Sequence, residues 1–140
     1  MALHCGSPRM VSPEFAPAVV AFITGHVRSL DELQLLMSII QSSERWWDAR
    51  VAAREIGMSH AAAGEALDRF AAQNLLDIRV TDDVRYQFCP GTEALSDAAR
   101  AATEAYRRNP IALARLVARP SRRGITDFAD AFRIRRNDNG

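Results

Sequence analysis

Side chains able to do covalent or metal chemistry are few in this sequence, and their spacing does not unite them. His4, His26 and His60 stand too far apart for a paired ligand set, and none is spaced with a carboxylate pair as a metal site requires. Ser59 and His60 are neighbours, but adjacent residues diverge on a helix, so they read as a cap and a first-turn residue. Glu55, Glu65 and Asp68 read as a solvated helix surface, and the chain carries neither a phosphate-cradling glycine loop nor a nucleophile elbow. Cys5 and Cys89 lack CxxC spacing and read as reduced thiols, with Cys89 expected buried and inert at a strand end. Neither catalysis, nor a cofactor, nor a bound metal is expected. The remaining chemistry is recognition: Arg50, Arg54, Arg79 and Arg85 offer guanidinium donors of the kind that meet phosphate oxygens.

Those arginines sit on the best-punctuated stretch of the chain, Asp48 to Cys89. Asp48 has the type of a helix cap, and Ala49, Ala52, Ala53 and Ile56 follow as an apolar side small enough for a close helix crossing. Gly57 can take a positive φ, and Ser59 caps a second helix whose Ala63, Leu67 and Phe70 face inward. Asn74 suits a left-handed exit. Leu76, Ile78 and Val80 then alternate, as do Val84, Tyr86 and Phe88, with Thr81-Asp82-Asp83 as the turn between them. Helix, tight turn, helix and ribbon make a winged helix-turn-helix. In that arrangement the second helix presents Ser59, His60, Ala61, Gly64, Glu65 and Asp68, and also Arg69 if it is rotated.

The flanking sequence supplies a helical scaffold. Residues 1–11 lack periodicity and read as an arm. A helix begins at Ser12-Pro13 or at Pro17 and carries Val19 or Val20, Ile23 and Val27 inward, with Gly25 at its end. Ser29 and Glu32 form a capping box for a strongly apolar helix bearing Leu30, Leu33, Leu36, Met37 and Ile40, broadened by Leu35 and Ile39. Of Trp46 and Trp47, one is expected in the core and the other part-exposed. Thr92 opens a long helix that Asn109-Pro110 breaks, Ile111 to Val117 form a short one, and Phe128 and Phe132 mark a last amphipathic helix over 125–133. The predicted class is mainly α (α+β). Residues 12–91 form the winged domain with its N-terminal helices, 92–136 a C-terminal helical extension available for dimerisation, and 137–140 a tail.

Composition is consistent with one globular domain: 140 residues, 48% hydrophobic and 25% charged. The longest apolar run is far too short to span a bilayer, and no signal-peptide pattern precedes it, so a cytoplasmic protein is expected. Every basic side chain other than histidine is arginine. Through Asp97 there are 8 arginines against 13 carboxylates, and from residue 98 onward 10 against 4. Positive charge thus gathers at the C-terminal end, where Arg122, Arg123, Arg133, Arg135 and Arg136 form a basic patch. That patch either contacts nucleic acid or an acidic partner, or balances the acidic remainder of the chain across intramolecular or dimer contacts.

The run from Val51 to Leu76, with Ala53, Ile56, Gly57 and Ser59 ahead of the second helix and Leu67, Phe70, Leu75 and Leu76 behind, resembles the helix-turn-helix of winged-helix bacterial regulators. Over the wider chain, Ser-Leu-Asp-Glu-Leu, Arg-Trp-Trp and Phe-Ala-Asp-Ala-Phe-Arg-Ile-Arg-Arg look like a family of small bacterial winged-helix proteins without an assigned mechanism. The resemblance implies a DNA-binding transcriptional regulator acting as a homodimer. The second helix departs from that pattern, because Glu65 and Asp68 stand where such regulators offer donors to bases and phosphates. The second reading left open is therefore a winged-helix protein-interaction module, with Ala61, Ala62 and Gly64 as a flat docking face.

Overall fold

A computed structural model of the chain describes residues 15–118. The arm at 1–11, the helix start at Ser12-Pro13, the helix at 125–133, the basic patch Arg122, Arg123, Arg133, Arg135 and Arg136, and the tail at 137–140 lie outside the described residues.

The first described helix, α1 (Pro17–His26), takes the later of the two expected starts, with Pro17 at its first turn and no side-chain cap on Ala16. Gly25 lies within it, and the chain leaves at Val27 in extended conformation. α2 (Leu30–Gln41) opens on the expected capping box: Ser29 Oγ accepts from the Glu32 amide at 3.2 Å, and Glu32 accepts from the Arg28 amide. Leu33, Leu35, Leu36, Met37 and Ile39 are all buried, so this helix is the centre of the scaffold. Leu30, expected on its apolar face, is exposed instead. It is the first residue of the helix, one turn short of the packed layer.

α3 (Ala49–Ile56) and α4 (His60–Ala72) form the helix-turn-helix, followed by β1 (Leu76–Val80) and β2 (Val84–Phe88). The strands pair antiparallel with Ile78 opposite Tyr86 and Val80 opposite Val84. Trp47 exchanges both backbone hydrogen bonds with Tyr86, at 2.6 and 2.7 Å, and so adds a one-residue third strand on the far side of β2. α5 (Glu93–Arg108) starts at a Thr92 cap, and α6 (Pro110–Ala118) starts after Asn109, whose side chain accepts from Ala112. This is a winged helix-turn-helix within six described helices and one hairpin. α5 packs on α1 and α2, and α6 packs on α1, α2 and α5. One apolar cluster runs from Phe15 through Trp47, Phe70 and Tyr86 to Leu113, so α5 and α6 share the core of the winged module.

The two tryptophans part as expected: Trp47 is buried and Trp46 half-buried. Cys89 does not follow its expectation. It is exposed, because Phe88 points inward and the next side chain along the strand turns out.

Candidate nucleic-acid interface

Local capping chemistry fixes the position of α4. Asp48 Oδ1 accepts from the Val51 amide at 2.7 Å and starts α3. Gly57 ends it at φ +87°, where the Gly57 and Met58 amides both donate to the Ala53 carbonyl, at 2.9 and 3.0 Å. A side chain at that φ is strained, which explains glycine there. Ser59 Oγ then accepts from the Ala62 amide at 3.0 Å and starts α4. Ala63, Ala66, Leu67 and Phe70 seat the helix in the core.

With the helix so seated, Ser59, His60, Ala61, Glu65 and Asp68 are exposed, as are Arg50 and Arg54 on α3 and Arg79 and Arg85 on the wing. Gly64 is half-buried and looks toward α3; a Cβ built on it would meet Ala49 Cβ at 3.9 Å. It belongs to the α3–α4 crossing more than to the outer face. Arg69 is likewise turned inward. Its guanidinium pairs with Glu32 and lies 3.3 Å from the His26 carbonyl, on the α1–α2 side of the helix. Both side chains of that pair are less than one-fifth exposed. Asp68 and Arg69, being adjacent, point apart by about 100°, so one reaches the wing and the other the scaffold.

The carboxylates that looked unfavourable beside a polyanion are mostly engaged within the fold. Tyr86 Oη donates to Asp68, tying the second half of α4 to β2. Burial, reinforced by that bond and by the Asp68 charge, pushes the Tyr86 hydroxyl up to about 12. Asp83 accepts from Arg85 Nε at 3.2 Å at the wing turn. Glu55 pairs with Arg45, and the hydrogen bond from that guanidinium holds its carboxyl below the ordinary glutamate range. Arg45 also lies 4.0 Å over the Trp47 ring, and Arg79 lies 4.5 Å over Trp46. Among the described residues, Arg50 and Arg54 have no ion-pair partner. Over the stretch from Asp48 to Cys89 carboxylates still outnumber arginines, seven to five.

Between the starts of α3 and α4 and the wing lies an open cleft of about 370 Å³, lined by Asp48, Ala49, Arg50, His60, Asp83, Val84 and Tyr86. The structure thus brings Arg50 and His60 to the cleft with Val84 and Tyr86, sends Arg69 elsewhere, and places Arg79 and Arg85, which are cross-strand partners, together on the opposite face of the hairpin. The Arg45–Glu55 pair and the Trp46–Arg79 stack were not expected from sequence. Both depend on the loop at 42–47 folding beside the sheet, and only the Arg-Trp-Trp run hinted at it. Among the described residues, no three histidine, cysteine or carboxylate side chains converge as metal ligands, and no helix is long and apolar enough to cross a membrane.

No protein-family model matches the sequence, and no curated protein sequence matches it. Among solved structures, the fold is similar to RV1404 of Mycobacterium tuberculosis, at 20% identity over 94% of this chain and 86% of that one, with a TM-score of 0.48. It is also similar to a MarR family protein from Bacillus stearothermophilus, at 13% identity over 98% and 93% of the two chains, with a TM-score of 0.44. Likeness at this level adds nothing to what the chain's own geometry shows.

Proposed function

We propose that the protein is a DNA-binding transcriptional regulator that docks α4 and the wing on a duplex, working as a cytoplasmic homodimer. The observation that carries this reading is the state of the charges around α4. Asp68, Asp83 and Glu55 each have a partner within the fold, whereas Arg50 and Arg54 project from the same module without one among the described residues. Phosphate contacts from such side chains give affinity that falls with salt, and few contacts give a shallow dependence. Glu65 at the centre of the exposed face, or Asp82 at the wing tip, limits the contact further. Binding is therefore expected to be weak, falling as salt rises with a slope set by these few phosphate contacts.

Fluorescence anisotropy against DNA from upstream of the gene, at several salt concentrations, tests the proposal. Saturable binding is expected, and Arg50→Ala or Arg54→Ala should each lower the slope of log K against log salt by about one. Absence of saturable binding at low salt would overturn it.

One observation favours the second reading, a protein-interaction module. Ile78, Val80 and Val84 stand exposed on the hairpin, on the strand face that continues the core, an apolar surface that a duplex does not use. A stable complex with a cellular protein, insensitive to Arg50 and Arg54, would support that reading over the first.

A further inference from the structure

Among the described residues the hairpin ends in a free edge. Tyr86 gives both its amide and its carbonyl to Trp47, so in the alternating antiparallel pattern Ile78, opposite Tyr86, makes no ladder bonds to β2. The neighbouring bonds agree, since Cys89 donates to the Leu75 carbonyl and Thr81 donates to the Asp83 carbonyl. The bonded positions of β1 are therefore the odd-numbered ones. The amides and carbonyls of Leu76, Ile78 and Val80 point away from β2. Ile78 and Val80 lie on the exposed part of the strand, and among the described residues the Ile78 amide finds only the side chain of its own neighbour, Asp77 Oδ1, at 3.1 Å. Three apolar side chains accompany this edge: Ile78 is 45% exposed, Val80 69% and Val84 41%.

An edge of this kind invites another strand unless charge or shape blocks it. The charges here select a particular strand. We propose that β1 pairs antiparallel with β1 of a second copy of this chain, centred on Ile78. In that register Ile78 faces Ile78 of the other copy, Leu76 faces Val80, and Asp77 faces Arg79 twice over. All three outward-pointing residues of each strand exchange their amide and carbonyl bonds. Asp77 and Arg79 oppose one another at non-bonded positions, where side chains approach most closely. Arg79 lies on that face, stacked on Trp46 across β2 in the single copy, and turns from that ring to the outer edge on pairing. A shift by two residues in either direction would set Asp77 against Asp77, or Arg79 against Arg79, and so is disfavoured. The sequence Leu-Asp-Ile-Arg-Val is self-complementary in one register alone. Pairing exchanges the Asp77–Ile78 side-chain bond for an inter-chain bond and merges the apolar side chains of both hairpins into one strip on a four-stranded sheet.

This inference does not rest on DNA binding, and its test contains no DNA. Amide hydrogen exchange by NMR on the full chain, over a wide range of protein concentration, reads the edge directly. The Ile78 and Val80 amides should gain protection as concentration rises, while Arg79, already bonded to β2, should not. Sedimentation velocity on the same samples gives the association constant. Asp77→Arg or Arg79→Asp, each creating two like-charge oppositions, should weaken association by about tenfold or more. The double exchange, Asp77→Arg with Arg79→Asp, should restore it. Exchange at Ile78 and Val80 that stays rapid and independent of concentration would overturn the proposal, including where the chain associates through another surface. So would a double variant as weak as the singles.

Discussion

Asp68 and Tyr86 illustrate how one contact can change the meaning of a residue. An aspartate on the outer face of a DNA-reading helix is unfavourable when considered alone, yet here it accepts a hydrogen bond from a buried tyrosine that lies against the core. Because the folded state holds the Tyr86 hydroxyl at about 12, above its ordinary 10.0, ionisation comes first in the unfolded chain. The associated stability is fully present below pH 10 and declines as the pH rises toward 12. Urea denaturation across that range should show the decline, and Tyr86→Phe should flatten it. Arg69 gives a second prediction at this scale. Its guanidinium is drawn into a mostly buried pair with Glu32, so Arg69→Ala should cost about 1–3 kcal/mol in a denaturation experiment. The salt slope of any DNA binding should stay unchanged, in contrast to Arg50→Ala.

At the scale of elements, the two glycines of the helix-turn-helix divide by backbone conformation. Gly57 holds φ +87°, so Gly57→Ala should destabilise by about 1 kcal/mol despite the open space around it. Gly64 is helical, and the Cβ it lacks would make an ordinary contact with Ala49 at 3.9 Å. Gly64→Ala should therefore raise stability by about 0.5–1 kcal/mol, the cost of glycine within a helix. Thermal melts of the pair would decide this, and a loss at Gly64 would mean that the crossing tolerates no added methyl. The hairpin shows how far alternation alone can be trusted. Leu76, Tyr86 and Phe88 pack on the body, but Ile78, Val80 and Val84 belong to the same face beyond the point where the body ends. Periodicity identifies the face and is silent about where its cover stops.

For the molecule as a whole, the C-terminal helices are part of the fold's single core. Leu113 of α6 is fully buried in the cluster that also contains Phe70 and Trp47. Leu113→Ala should cost about 2–5 kcal/mol by differential denaturation, as for any buried leucine that leaves a cavity. A loss below 1 kcal/mol would instead mark α6 as a loosely held appendage.

The sequence by itself determined the elements, because their signals are local. Asp48, Ser59 and Thr92 cap their helices within three residues, Gly57 turns the chain through its own φ, and Asn109-Pro110 breaks a helix at one bond. The apolar positions of α2 and α4 recur at helical spacing and identify the core before any contact is known. The tertiary structure decided which charged side chains remain available. Asp68 with Tyr86, Arg69 with Glu32, and Arg45 with Glu55 are joined across 18, 37 and 10 residues respectively, and no spacing rule encodes those partners. It also decided which backbone groups of β1 face solvent, through the single bridge from Trp47 to Tyr86. Hydrogen bonds and ion pairs between distant segments follow from how helices and strands are rotated on packing, and that rotation is a property of the assembled core.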